Sequence, residues 1–255
     1  MLPENVLPVV LSRYFPVISG PADLPLVAAL LENSHSEFCA CLRTDPEMIA
    51  HTCRSGFLPM SEDFTGHDVL LVKSHEQRCV LEPGALHVSR STRRRARGLT
   101  IRIDHDFDSC LETIVNHHPE RWLTDRLCDS LRALHREPLA GVRARSAEVY
   151  ADEVLVAGEI GYTVGSAYTS MSGFHSASGA GSVQLAALGI LLEDAGFSFW
   201  DLGMVIEYKI DLGSRVWKRG AFLQAYRAAR ELPTPDLRRS AECGELLERR
   251  YSSTG

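Results

Sequence analysis

The stretch from Gly179 to Phe197, GAGSVQLAALGILLEDAGF, constrains this chain most, because its predicted helix is apolar nearly all round. Such a helix cannot lie on a surface. It must be covered on every side, and Gly196 marks its end. Before it, residues 143 to 174 read as three antiparallel strands, SAEVYA, EVLVAGEIGYTV and SAYTSMSGF, with ADE and VGS as the turns. After it, FSFWDLGMV has the aromatic and apolar content of a buried strand. Three strands, a buried helix and a further strand predict an α/β (α+β) fold with a mixed sheet flanked by helices.

The rest of the chain sets the expected boundaries. Up to about residue 85 the pattern is irregular. PADLPLVAALLEN reads as a helix, Asp45 caps another with Pro46 in its first turn, and HDVLLVKS alternates as a strand. This part, 1–85, is expected as a smaller N-terminal α+β domain. A clearer α/β rhythm follows: LTIRIDHDF as a strand, FDSCLETIVNHH as a helix capped by Asp108, and DRLCDSLRALHRE as a second helix. Lys218 to Glu231 is expected as the last amphipathic helix, closing a domain over 86–232. The polar segment PTPDLRRSAECGELLERRYSSTG lies in the remaining 233–255, expected as a partly ordered tail.

The formal net charge of −6 hides a local excess of the opposite sign. SRSTRRRARG packs Arg90, Arg93, Arg94, Arg95 and Arg97 together without an acid, and such a run favours a polyanion. No stretch approaches the roughly 20 apolar residues of a membrane span, and the early Glu of MLPENV does not suit a secretory leader. A soluble, cytoplasmic, monomeric protein with no membrane contact is expected. Seven cysteines without a CxxC pair indicate neither a disulfide framework nor a zinc site, so they are expected reduced and buried. His51 with Cys53, and His117 with His118, lack a second matched pair. They are read as structural or surface groups, and no metal is expected.

Two carboxylates stand out. Asp201 interrupts an apolar strand and needs a partner or a purpose there, the structural alternative being a carboxylate that caps backbone N–H groups at a strand end. Glu159 lies inside VLVAGEIGYTV, on a face shared with Ala157 and Gly161, which leaves room beside it for a ligand. Tyr168, Ser170 and Ser172 alternate on the next strand and are expected to form one hydroxyl-lined face. Gly179, Gly181 and Ser182 open the buried helix, where backbone N–H groups and the helix dipole suit an anion. Ser172 as a hydrolase nucleophile is disfavoured, since SMSGF lacks the G-x-S-x-G elbow.

From GALHVSRS to the helix after Trp217, the chain resembles the leucyl/phenylalanyl-tRNA–protein transferases. LHVSRS, FDSCLE, RWLTDRL, YADEVLVAGEIGY, WDLGM and DLGS carry the resemblance in order, with RSGFLPMS a weaker match nearer the N-terminus. It implies a GCN5-type acetyltransferase-like sheet over 86–232 and transfer of an amino acid, Leu or Phe in type, from aminoacyl-tRNA to the N-terminus of an acceptor protein. The acceptor is thereby marked for degradation. Of the family's site residues, Trp122 and Asp201 remain. Met171 stands where the family has a Glu, Gly203 where it has a Gln after the aspartate, and Met60 where it has a Trp.

The ester of a charged tRNA is already activated, so no cofactor is expected and catalysis needs alignment and removal of a proton. Asp201, with Glu159 as second carboxylate, is expected to anchor the acceptor amine and take its proton. Tyr168, Ser170 and Ser172 are expected to contact substrate beside Met171 and Gly203, with Trp122 stacking on the terminal adenine or lining the side-chain pocket. The arginine run and the Gly179 turn are expected to hold tRNA phosphates. Two other readings stay open: an acyl-CoA-dependent N-acyltransferase with its pyrophosphate at Gly179 to Ser182, and a catalytically silent tRNA- or N-terminus-binding protein.

Overall fold

The computed structural model describes residues 6–32, 34–118 and 122–252, and its strands form two sheets. The smaller contains β1 (Val17–Ile18), β2 (Phe38–Cys41), β3 (Leu58–Phe64) and β4 (His67–Lys73), in the order β1-β2-β4-β3. Only β4 is predicted by alternation; β3 ends in a polar Ser-Glu-Asp run that hides its pairing. Helices α1 (Leu7–Leu11), α2 (Leu24–Glu32) and α3 (Pro46–Arg54) accompany this sheet. As predicted, Asp45 caps α3 by accepting from the Met48 N–H at 3.1 Å, with Pro46 in the first turn.

The larger sheet takes in β5 (Gln77–Leu81), β6 (Leu99–Ile103), β7 (Val142–Ala151), β8 (Val154–Val164), β9 (Ala167–His175), β10 (Phe199–Gly203), β11 (Arg215–Lys218) and β12 (Ser240–Glu242). Its order is β11-β5-β10-β9-β8-β7-β6-β12. Neighbours are antiparallel except β9 and β10, which run parallel and are joined by the buried helix. The expected boundary at residue 85 does not divide the sheets, because β5 precedes it and pairs with both β10 and β11.

The helices of this part are α4 (Arg90–Arg95), α5 (Phe107–His117), α6 (Asp125–Arg136), α7 (Ala180–Ala195), α8 (Glu207–Asp211), α9 (Arg219–Ala229) and α10 (Cys243–Ser252). One face of the sheet packs its apolar residues against Val183, Leu188 and Leu191 of α7, with Leu246 and Leu247 of α10 in the same cluster. The other face meets Cys110 and Leu111 of α5, Leu131 of α6 and Phe222 of α9. Each such fully buried Leu or Phe contributes about 1.5–3 kcal/mol. α7 is therefore the covered helix that its composition requires. Gly196 ends it in the left-handed region at φ 89°, with its own N–H on the Glu193 carbonyl and the Phe197 N–H on that of Leu192.

Three local expectations are corrected. α5 begins two residues earlier than predicted, capped by Asp106 on the Ser109 N–H, because Phe107 is buried against the His135 ring at 4.3 Å. Asp108 instead pairs with Arg132. The segment read as a polar tail is built into the fold: β12 pairs with β6, and Cys243, Leu246 and Leu247 of α10 are buried. α9 is consequently not the last helix. All seven cysteines are free and buried, as expected.

Candidate functional site

The site begins where the two parallel strands part. β9 and β10 pair only from Phe199 and Ala167 to Asp201 and Thr169. Beyond that, β9 continues beside β8 while β10 turns away beside β5. A crevice outside the carboxyl ends of parallel strands is where open α/β sheets bind ligands. Gly203 flanks it at φ 72°, a left-handed conformation suited to glycine, and a Cβ there would meet no atom within 4 Å. The Lys209 Nζ closes the turn from below, donating to the carbonyls of Leu202 at 2.6 Å and Met204 at 3.1 Å.

Glu159 lies on the α7 face next to this parting and is 3% exposed. Its Oε1 accepts from the Tyr168 hydroxyl at 3.0 Å and from the Ser170 hydroxyl at 2.8 Å. Ser170 Oγ in turn accepts from the Trp200 indole N–H at 2.8 Å. Burial pushes the Glu159 carboxyl up to about 7; the bonds from Ser170 and Tyr168, the nearby Gln184 amide and the Lys209 charge oppose that rise. A carboxyl so placed exchanges its proton near neutral pH.

Asp201 is placed differently from the expectation. It is fully buried, and its Oδ2 accepts from Arg78 and, at 3.2 Å, from the Thr169 hydroxyl. Its Oδ1 accepts from the Gly203 N–H at 2.9 Å. Arg78 also donates to the Gly56 carbonyl and lies over the Phe222 ring at 4.3 Å, on the α9 side of the sheet. Tyr168 and Thr169 are consecutive and point to opposite faces, so Glu159 and Asp201 sit on opposite sides of the sheet. They do not form a carboxylate pair. Fully buried and bonded to a permanent cation, a hydroxyl and a backbone N–H, Asp201 holds the Gly203 turn in place.

The hydroxyl face is also divided. Ile160 pairs with Ser172 but Gly161 with Ser170, so Met171 is an extra residue in a bulge. The slip leaves Tyr168 and Ser170 on the α7 face and turns Ser172 to the side of Ile160, in the opposite cluster. Met171, Met60 and Trp122 pack against that same opposite cluster. The Trp122 carbonyl accepts from the N–H and the hydroxyl of Ser61 at the junction with β3. Arg121, Pro119 and Glu120, from the segments RWLT and NHHPE, lie outside the described residues.

At the start of α7 the glycines make room for side chains of this chain. A Cβ on Gly179 would come within 2.5 Å of Arg95 Cδ, and one on Gly181 within 3.0 Å of the His175 ring. Arg95 thus lies across the helix entrance, bringing the basic helix α4 against α7. Arg90, Arg94 and Arg95 are exposed, while Arg97 reaches Glu248 at 3.7 Å. A cavity of about 360 Å³ opens between β9 and this entrance, walled by Gly173, His175, Gly179, Gly181, Ser182 and Gln184 among others. It shares Ser182, Leu185 and Tyr208 with a second cavity of about 430 Å³ that runs to Ser89 and Thr92 beside α4.

Arg78, Lys209, Trp200 and Gln184 escaped the sequence reading, although each left a trace. Arg78 stands inside the apolar strand QRCVL as Asp201 does inside FWDLG, and each buried charge needs the other. Gln184 is the polar residue in the apolar stretch VQLAALGILL of α7. Lys209 lies between Tyr208 and Ile210, and burial lowers its ammonium pKa. Among the described residues, no group of three or more His, Cys, Asp or Glu side chains could hold a metal ion. No described helix is long and apolar enough to cross a membrane.

The two sheets and the crevice define a mixed α/β protein with a polar, ligand-sized site at a strand parting. Residues 80–227 match the family described as leucyl/phenylalanyl-tRNA protein transferase. A protein of that name from Anaeromyxobacter sp. strain K is 31% identical over 202 residues, spanning 76% of this chain and 82% of the relative. One from Pseudomonas aeruginosa strain UCBPP-PA14 is 30% identical over 223 residues, spanning 84% and 95%. One from Jannaschia sp. strain CCS1 is 29% identical over 190 residues, spanning 74% and 87%. The chain belongs to the leucyl/phenylalanyl-tRNA–protein transferase family. Among solved structures, FemX aligns with 80% of this chain and 78% of its own at a TM-score of 0.44 and 10% identity, too distant to extend the argument.

Proposed function

We propose that this chain moves an amino acid from aminoacyl-tRNA to the N-terminal amine of an acceptor protein, marking it for degradation, on an acetyltransferase-like sheet. The observation that carries the reading is the Ser170 hydroxyl, held at the strand parting between the Trp200 N–H and Glu159. Its proton is committed to Glu159 and one lone pair to Trp200, which leaves a second lone pair for an amine N–H.

The neutral amine attacks the ester carbonyl, the C–N bond forms, and the bond to the ribose oxygen breaks. The amine proton passes through Ser170 to Glu159, which returns it to the departing ribose hydroxyl. Asp201 serves by positioning the Gly203 turn through its bond to the Gly203 N–H. The exposed Arg90, Arg94 and Arg95 line the approach for phosphates of the acceptor end.

The experiment is transfer of labelled amino acids by wild type, Ser170→Ala and Glu159→Gln, with tRNA binding followed in parallel. The scheme expects Glu159→Gln to lose about 10²–10⁴ in rate, the range for a general base, while tRNA binding is retained. Undiminished transfer by both variants would remove the relay from the mechanism.

A further inference from the structure

β9 loses a neighbour part-way along its length. Its pairing with β10 stops at Thr169, whereas its pairing with β8 continues to His175. Among the described residues, no strand takes the place that β10 leaves. Exposure follows the same boundary: Ala167, Tyr168 and Thr169 are buried beside β10, whereas Gly173 and His175 are exposed. A free strand edge presents a row of N–H and C=O groups with which another extended chain can pair. Residues 171–175 include neither a proline nor a lysine, which commonly blunt such an edge.

The backbone groups of Gly173 and His175 point into this gap. Along an antiparallel pair, residues alternate between bonding the partner strand and facing away from it. The Ser176 N–H donates to the Val156 carbonyl of β8 at 2.9 Å, so Phe174 and Ser172 also bond β8 and the residues between them face outward. The Gly173 carbonyl agrees: it accepts from the His118 Nε2 at 2.9 Å, which uses one of its two lone pairs. The gap begins at Ser170, whose hydroxyl receives the acceptor amine in the transfer scheme. A chain with its amine there cannot run back along β9, since β10 holds that edge up to Thr169. It runs outward, in the direction of β9 itself, and so repeats the parallel sense of β10. From Ser170 to His175 an extended chain covers about 16 Å.

We propose that the open edge of β9 from Ser170 to His175 is a docking track for the acceptor polypeptide, whose first residues join the sheet as a parallel strand where β10 leaves it. The inference rests on the aminoacyl-transfer reading and deepens it by placing the acceptor chain. One acceptor residue accepts from the Gly173 N–H. The residue two further on donates its N–H to the Gly173 carbonyl and accepts from the His175 N–H, so alternate acceptor residues are bonded. Main-chain bonds of this kind supply affinity without reading side chains. The track therefore takes acceptors of differing sequence whose first residues are extended, and it refuses an N-terminus already folded into a helix.

The test uses acceptor peptides of about six residues and one sequence, each N-methylated at a single backbone amide from the second residue to the fifth. A methyl group removes the donor and blocks the approach of a neighbouring strand. Transfer kcat/KM is measured for each with the whole protein and a mixture of charged tRNAs. The expected result is alternation: a loss of about tenfold, one hydrogen bond in size, where the amide faces β9, and little loss where it faces away. His175→Pro removes the outward N–H of that residue and is expected to weaken the unmethylated peptide about tenfold, chiefly by raising KM. An unchanged KM in folded His175→Pro overturns the inference, and the methylated series decides it without any variant should that protein not fold. Equal penalties at every position, or none at any, overturn the inference and leave the transfer reading standing. Failure of the unmethylated peptide to accept any amino acid sinks the transfer reading and the inference together.

Discussion

Replacing Glu159 by glutamine separates the cost of burying this carboxyl from its use. The native carboxyl titrates near 7, whereas its ordinary value is 4.5. The folded pKa lies above the unfolded one, so folding binds the proton more tightly. The stabilising share is fully present below pH 4.5 and is lost as pH rises through 7. That difference amounts to about 3 kcal/mol, a noticeable part of the stability of an ordinary domain. Glutamine keeps the shape and the acceptor oxygen for Ser170 and Tyr168 but does not ionise. Urea unfolding of wild type and Glu159→Gln from pH 5 to pH 8.5 should show the variant gaining on wild type as pH rises, by up to about 3 kcal/mol in relative terms. Stability curves that stay parallel across that range would refute the reasoning, because Glu159 would then titrate alike in the folded and unfolded states.

Transfer rate should fall on the acid side with a midpoint close to pH 7, where Glu159 takes up its proton, and Glu159→Gln should flatten that limb in a pH–rate profile. Asp201→Asn should act mainly on stability, destabilising by about 3–5 kcal/mol through the buried Arg78 charge, as read by denaturant unfolding. A variant with Arg90, Arg94 and Arg95 all replaced by serine should bind tRNA more weakly, and its log-affinity against log-salt slope should shrink by about 2–3 if each arginine meets one phosphate. Filter binding between 50 and 200 mM salt reads that directly.

What could be read from the sequence follows from how local the cause is. The meander, the covered helix and its stop at Gly196 depend on neighbours in the chain, and they stand where the pattern puts them. Asp201 shows the limit. Its anomaly is visible, but its partner Arg78 lies 123 positions away, and nothing local distinguishes a paired carboxylate from a working one. The bulge at Met171 is a pairing event between two strands, so alternation along β9 alone placed Ser172 on the wrong face. In the C-terminal segment, polar composition concealed Cys243, Leu246 and Leu247, whose spacing is already that of one helix face. Around Glu159 the small residues signal a close approach, but the fold fills the space with its own groups, a Cβ on Gly161 meeting the Tyr168 hydroxyl at 2.8 Å, so the room for a ligand expected there is taken by Tyr168.

The most direct test of the account pairs two peptides of identical sequence, one with a free N-terminal amine and one acetylated, with a mixture of all charged tRNAs. Mass spectrometry of the products is the readout. The account predicts that the free-amine peptide gains one aminoacyl residue at its N-terminus and the acetylated peptide none. No mass gain on either peptide, with tRNA binding intact, would contradict it.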